Sequence, residues 1–149
     1  MADVPTPPTT RMPDFSGFGE FRMTKQRRVV YDVLVDEPRD HPTASEVFLR
    51  AKNRMPGISL ATVYNCLETL THAGLVKQVN LDRDASRYCP NLKPHAHFFC
   101  SECEQVFDIT PRPSADPCAV WELPEGTRID HLDVTLKGKC PACARAGHP

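Results

Sequence analysis

The residues with the clearest chemistry in this 149-residue chain are cysteines in its second half. Two Cys-x-x-Cys pairs, Cys100/Cys103 and Cys140/Cys143, are separated by 36 residues. Two such pairs supply the four thiolates that a tetrahedral structural zinc ion takes, so the spacing predicts a closed Zn(II) site. Redox-active or incidental thiols are the alternative. The odd total of seven cysteines argues against a fully paired disulfide framework.

A second, mixed set of candidate ligands lies just before the first cysteine pair. His95 and His97 stand two residues apart, and Cys89 precedes His95 by six residues. Residues two apart on a strand share a face, so both imidazoles would point the same way. This set suits a sensing metal. The alternatives are solvated histidines beside a structural site, and a Cys89 that is either a small buried residue or a peroxide-oxidised thiol.

Length and charge limit the class of protein. The chain fits one domain or two very small ones. Residues 21–80 carry nine Lys/Arg against six Asp/Glu, whereas residues 81–149 carry eight against ten. Any nucleic-acid contact is therefore expected in the first half. The N-terminal sequence has no apolar signal segment, and no run approaches the roughly 18 apolar residues of a membrane span, so we expect a cytoplasmic protein with no membrane partner.

The elements that must position these residues follow from hydrophobic spacing. Residues 1–20 are predicted as a disordered tail, because Pro and Thr dominate their first part. Three helices are then predicted, at about 25–36 after Thr24, from Thr43 or Ser45 to before Met55, and at about 60–73 between Ser59 and Gly74. Strands at 75–79 and 86–88 would form a hairpin around a turn at 82–84.

This order of elements is that of a winged helix-turn-helix, predicted over residues 21–90, with its third helix entering the DNA major groove. Residues 91–149 read as a small zinc-stabilised α/β module. Its predicted elements are strands at 98–99 and 106–109, a short helix around 116–122, and an alternating strand from Arg128 to Leu136. The predicted fold class is therefore α+β.

Three motifs resemble those of the ferric uptake regulator (Fur) family. They are MPGISLATVYN from Met55 to Asn65, Gly74-Leu-Val, and HAHFFCSEC from His95 to Cys103. The resemblance runs from Arg22 to Cys143. It is greatest for the peroxide-responsive, PerR-like branch, because Asn65 follows Tyr64. Family members are dimeric, metal-responsive repressors, so the resemblance implies a homodimer on a palindromic operator in double-stranded DNA, with a dimerisation domain after residue 90.

The resemblance also implies a regulatory ligand set, here His41, Cys89, His95, His97 and Asp108. The branch has Asp where this chain has Cys89. Zinc-uptake regulators of the family place a Cys near this position, but the Asp that several of them use falls at Leu75. Imidazole and carboxylate suit Fe(II) or Mn(II), and a thiolate favours Zn(II). The expected function is a repressor sensing iron or peroxide, and the alternative is a zinc-uptake regulator.

The candidate DNA-reading residues lie at the start of the third helix, with one basic residue before the first helix. They are Ser59, Thr62, Tyr64, Asn65 and Arg22. Hydroxyls can meet phosphates, Asn can pair with adenine, and the resemblance places Arg22 at an A·T-rich minor groove. Taken singly, each could be an ordinary solvated side chain.

Two other classes of protein fit the metal motifs less well. A zinc hydrolase would need an open coordination position and a nearby general base, and no Glu stands beside the ligands as in His-Glu-x-x-His. A zinc-ribbon protein-binding module would not explain the third helix. The chain is therefore not expected to be an enzyme. Cys66 and Cys118 are expected to pack in the interior, and His131 could join a third metal site.

Overall fold

The computed structural model describes residues 21–38, 40–81, 85–112, 117–130 and 132–147. Its elements are α1 (Lys25–Asp36), α2 (Ala44–Arg54), α3 (Leu60–His72), β1 (Lys77–Val79), β2 (Arg87–Cys89), β3 (Ala96–Cys100), β4 (Val106–Ile109), β5 (Thr135–Gly138) and α4 (Pro141–Ala146). The predicted tail over 1–20, the turn at 82–84, His131 and the side chain of Cys118 lie outside the described residues. Among the described helices, none is long and apolar enough to cross a membrane.

Each of the first three helices begins at a hydroxyl side chain that caps free backbone N–H groups. The Thr24 hydroxyl accepts from the N–H of Arg27, and the Ser59 hydroxyl accepts from the N–H of Thr62. The α2 cap is Thr43 rather than Ser45. Glu46 reciprocates by accepting from the Thr43 N–H at 2.7 Å, which completes a capping box.

The end of α3 is set by Gly74, as the sequence predicts. Gly74 has φ +74°, a left-handed conformation that suits glycine. The N–H of Leu75 donates to the Leu70 carbonyl at 3.0 Å, and the N–H of Gly74 donates to the Thr71 carbonyl at 3.0 Å. These two bonds are a Schellman motif, which turns the chain directly into the hairpin.

A first core holds the three helices together, and the hairpin closes over it. Its members include Leu34, Leu67 and Leu70, with Leu75, Val76 and Tyr88 contributed by the hairpin region. The first strand is shorter than predicted because Leu75 and Val76 pack into this core before pairing begins at Lys77.

A second, smaller core joins the hairpin to a three-stranded sheet of order β4-β3-β5. It consists of Val79, Leu81, Cys89, Phe99 and Val106. β3 runs antiparallel to β4 and parallel to β5, and the register places His97 opposite Asp108. The second core thus lies where the winged helix meets the second sheet.

The α+β class and the three-helix-plus-hairpin order are confirmed, and two details after residue 110 are wrong. The alternating run from Arg128 does not form a strand along its length, because pairing with β3 begins at Thr135 and extends to Gly138. The helix expected around 116–122 is a single 3-10 turn, Pro117–Val120. Pro124 follows closely and cannot continue a helix. α4 was not predicted.

Candidate metal centres and the DNA-facing helix

The four cysteines of the two Cys-x-x-Cys pairs come together at one end of the second sheet. Their sulfur atoms all lie within 4.8 Å of one another, with Cys103 Sγ and Cys140 Sγ at 4.0 Å. Zn–S bonds of about 2.3 Å place the sulfurs of a tetrahedron about 3.8 Å apart. The donor set and its spacing therefore fit a structural zinc ion.

Local backbone geometry aims these thiols at each other. Cys100 ends β3, and the turn after it reverses through Glu104, whose φ of 60° is left-handed. Cys140 is the N-cap residue of α4, and its backbone N–H donates to Cys100 Sγ at 3.3 Å. Backbone N–H groups of Cys103 and Cys140 lower the pKa of Cys100 to about 6, because they stabilise the thiolate.

The second cluster converges on one oxygen atom, Oδ1 of Asp108. The Nε2 atoms of His41, His95 and His97 lie 2.7, 3.3 and 3.4 Å from it. Cys89 Sγ lies 3.7 Å from the same oxygen and 3.5 Å from His95 Nε2. The structure therefore brings together all five residues of the predicted regulatory set.

Different elements deliver these ligands. His97 and Asp108 face each other across β3 and β4, and Cys89 ends β2. His41 comes from the segment before α2. That segment is tied to β2 by the Tyr88 N–H, which donates to the Pro42 carbonyl at 3.0 Å. Helix-turn-helix elements and the second sheet thus contribute to one cluster.

Burial and mutual contact set the protonation of the cluster. Burial raises the pKa of Cys89 to about 11, with the Asp108 charge adding to the effect. Burial lowers the pKa of His97 to about 4, helped by the neighbouring His95 and His41. Burial also raises the pKa of Asp108, but hydrogen bonds from Asn91 and His41 outweigh it, so the pKa lies below its usual range.

At neutral pH the metal-free cluster therefore contains a neutral His97, an ionised Asp108 and a protonated Cys89. To bind a divalent metal ion, Cys89 would have to lose its thiol proton. The five residues would then offer three imidazole nitrogens, one thiolate and one carboxylate. The charge and type of these donors fit a divalent transition metal. They do not resemble the all-oxygen sets that Ca²⁺ and Mg²⁺ take.

Two residues at this cluster were not predicted from the sequence. Asn91 donates from Nδ2 to Asp108 Oδ2 at 2.9 Å, and Arg87 donates from Nη1 to the His41 carbonyl at 3.0 Å. Neither residue type is a usual metal ligand, so ligand patterns overlook both. In the sequence, only their position within two residues of Cys89 could have indicated a role at the cluster.

The start of α3 presents most of the predicted DNA-reading residues to solvent. Ser59, Tyr64 and Asn65 are exposed, and Thr62 is half-buried with its hydroxyl 2.8 Å from Ser59 Oγ. Arg22 is exposed before α1. On the opposite side of α3, Cys66 is buried in the first core, as expected.

Known proteins share this combination of elements and motifs. Residues 19–136 match the model of the ferric uptake regulator family. The chain is 33% identical over 127 residues to the ferric uptake regulation protein of Bacillus subtilis, covering 83% of this chain and 85% of that protein. It is 30% identical over 127 residues to the peroxide operon regulator of the same organism, with the same coverage.

Solved structures agree with the sequence matches. The peroxide stress regulator of Campylobacter jejuni superposes with a TM-score of 0.63 at 30% identity, covering 79% of this chain and 88% of that one. A ferric uptake regulator of Francisella tularensis superposes with a TM-score of 0.66 at 20% identity, covering 85% and 96%, which shows the shared fold. From the matched motifs, the extent of the family match and these relatives, the chain belongs to the ferric uptake regulator family.

Proposed function

We propose that this protein is a metal-dependent, DNA-binding transcriptional repressor that senses iron or peroxide through the cluster of His41, Cys89, His95, His97 and Asp108. The observation that carries the proposal is the convergence of the other four residues on Oδ1 of Asp108. The relatives named as peroxide-responsive repressors and as ferric uptake regulators support the class of signal.

The coupling between metal and DNA follows from where the ligands lie. A bound divalent ion would supply a shared electrostatic centre for donors from both halves of the chain. His41 belongs to the segment before α2, while His97 and Asp108 belong to the second sheet. Only an arrangement that keeps these elements together offers all five donors, so metal favours that arrangement over more open ones.

The DNA-binding surface in this proposal is the exposed start of α3, with Ser59, Thr62, Tyr64 and Asn65 reading base edges and phosphates. Arg22 would enter a neighbouring minor groove. The protein would act in the cytoplasm as a homodimer on a palindromic operator, since two-fold symmetric proteins match two half-sites. Apolar side chains left exposed on the second half, such as Trp121, Leu123 and Leu136, support a dimer contact there.

The four-cysteine cluster is assigned a structural role. Cys100, Cys103, Cys140 and Cys143 connect β3 and its turn to α4, which has no buried residue of its own. A closed Cys₄ zinc site would supply the folding free energy that this small end of the molecule lacks.

The alternative is a zinc-uptake regulator that uses the same five residues to sense Zn(II). The observation in its favour is Cys89, whose sulfur lies within the cluster at 3.5 Å from His95 Nε2. A thiolate ligand shifts preference towards Zn(II) and away from Mn(II).

The decisive experiment measures DNA binding as a function of metal. Protein purified without oxygen, with zinc in the four-cysteine cluster, is used to select duplexes from a random pool in the presence of Fe(II), Zn(II) or Mn(II). The selected duplexes are then titrated by fluorescence anisotropy, before and after addition of hydrogen peroxide. Fe(II)-dependent binding that peroxide abolishes is expected. Binding that needs zinc beyond one equivalent per subunit, and that resists peroxide, would establish the alternative.

His95→Ala tests whether the cluster is the sensor. We expect a folded dimer that keeps its structural zinc and binds the selected duplex weakly. His72→Ala, a histidine outside both clusters, is the control for metal titration. Full metal-dependent repression by a folded His95→Ala protein would refute the sensing role.

A further inference from the structure

The five-residue link between Cys89 and His95 makes contacts that the sequence motifs do not explain. It contains two prolines and one Asn, and it joins β2 to β3. Two hydrogen bonds of this link involve residues of the proposed metal site: Asn91 contacts Asp108, and Lys93 contacts His95.

Asn91 contacts the carboxylate of the cluster, Asp108. Its side chain donates from Nδ2 to Asp108 Oδ2 at 2.9 Å. This contact places partial positive charge against the carboxylate that would ligate the metal.

The side-chain carbonyl of Asn91 shapes the rest of the link. Oδ1 of Asn91 accepts from the Lys93 N–H at 3.1 Å, which is an Asx turn. The Lys93 carbonyl then lies 2.6 Å from His95 Nδ1. A carbonyl can only accept, so Nδ1 of His95 carries the proton and its Nε2 lone pair faces the cluster.

The contact to Asp108 also fixes how many oxygens the carboxylate offers. Oδ2 is held by Asn91, and Oδ1 faces His41, His95, His97 and Cys89. Asp108 is therefore oriented to give one oxygen rather than two. With three imidazole nitrogens, the Cys89 sulfur and this one oxygen, the cluster offers five donor atoms.

We propose that Asn91 is the positioning residue of the regulatory metal cluster, holding Asp108 as a one-oxygen ligand and, through Lys93, His95 in its ligating tautomer. This inference rests on the proposed function, because it concerns how the same cluster selects and holds its metal. Outer-shell groups of this kind change metal affinity by about 10–100-fold when removed.

Two substitutions distinguish the contact of Asn91 with Asp108 from its part in shaping the link through the Asx turn. Asn91→Ala removes the donor to Asp108 and the acceptor for Lys93. Asn91→Asp keeps the acceptor, and so the Asx turn, but replaces the donor with a second carboxylate against Asp108. Asn53→Ala, the same change at an exposed position of α2, is the matched control.

The measurement is a Co(II) titration of full-length protein whose four-cysteine cluster is already filled with zinc. Absorption reports both thiolate coordination and coordination number, and competition with a chelator gives the affinity. We expect about 10–100-fold weaker binding for both Asn91 variants, an altered ligand-field spectrum, and no change for Asn53→Ala. Circular dichroism and thermal unfolding of the cobalt-free proteins check folding.

The outcomes distinguish the two proposals. If the unsubstituted chain binds Co(II) at the cluster and Asn91→Asp does so with the same affinity and spectrum, the role of Asn91 is refuted while the proposed function stands. If the unsubstituted chain binds no Co(II) beyond the zinc sites, the proposed function fails, and the inference fails with it.

Discussion

Cys89 is the residue at which this chain departs from the pattern of the peroxide-responsive branch. It is fully buried, its sulfur lies 3.7 Å from Asp108 Oδ1, and its backbone pairs with Lys77 across the hairpin. This position is therefore compatible with both interpretations of Cys89, as a small buried residue and as a metal ligand. Full burial argues against direct oxidation by peroxide, since thiol oxidation needs access as well as thiolate character.

Cys89→Asp should change which metal the cluster prefers. Replacing the thiolate with a carboxylate gives a set of nitrogen and oxygen donors, so the preference for Zn(II) over Mn(II) should fall on the order of tenfold or more. Competitive titration of the purified proteins with both metals measures the ratio. An unchanged ratio would show that Cys89 does not ligate.

Metal binding at the cluster should release the thiol proton of Cys89 near pH 7. Burial raises the pKa of the metal-free Cys89 thiol to about 11, so it is protonated there and must ionise to ligate. Metal affinity should therefore rise about tenfold per pH unit below that pKa. His97 adds nothing, because its pKa of about 4 leaves it neutral at this pH.

Calorimetry in buffers of different ionisation enthalpy counts the released protons. Cys89→Asp is the control, since it has no thiol proton to lose and should release about one proton fewer. Equal proton release by the two proteins would contradict the assignment.

At the scale of elements, the segment before α2 links DNA-binding geometry to the metal cluster. Thr43, two residues after His41, caps α2. Its backbone also forms an antiparallel β-bridge with Arg87 of β2. The Arg87 side chain donates to the His41 carbonyl. The same short stretch thus fixes the start of a helix of the DNA-binding motif and the position of one ligand.

Thr43→Ala should reduce both helix stability and metal affinity. Loss of an N-cap hydroxyl costs about 1 kcal/mol of unfolding free energy, and a looser segment would hold His41 less well. Thr24→Ala at the cap of α1 is the matched control, expected to cost similar stability with unchanged metal affinity. Urea unfolding and metal titration measure the two effects. Identical metal affinities for the two variants would show that the α2 cap does not influence metal binding at the cluster.

At the scale of the whole molecule, the chain has two apolar cores of unequal size and two clusters of candidate metal ligands. The helices have a substantial apolar core, whereas the second core has five residues. β5 and α4 contribute no residue to either core. A small apolar core rarely stabilises a fold by itself. We therefore expect zinc binding at the four-cysteine cluster to contribute much of the folding free energy of this half.

Cys100→Ser should unfold the second half or leave the protein monomeric. The substitution removes a buried sulfur that is a proposed zinc ligand and that accepts the Cys140 N–H. Zinc content, sedimentation velocity and thermal unfolding give the result, with Cys118→Ser, which belongs to neither ligand set, as the control. A zinc-free Cys100→Ser protein that remains a stable dimer would refute the structural role.

The sequence by itself determined the features that depend on neighbouring residues. Thr24 and Ser59 as caps, Gly74 as the end of α3, and the inward stripe of Val63, Cys66, Leu67 and Leu70 all follow from local spacing and backbone preference. The Cys-x-x-Cys pairs likewise indicate zinc through spacing alone. The five-residue regulatory set required the family resemblance, because spacing links only Cys89, His95 and His97.

Only the tertiary structure decided what depends on distant contacts. His41 and Asp108 are 67 residues apart, yet their side chains meet at 2.7 Å because the helix-turn-helix packs against the second sheet. The extent of β5 depends on where it pairs with β3, so alternation from Arg128 overestimated it. Asn91 carries no ligand signature, and its contact to Asp108 exists only once the link after β2 lies beside β4.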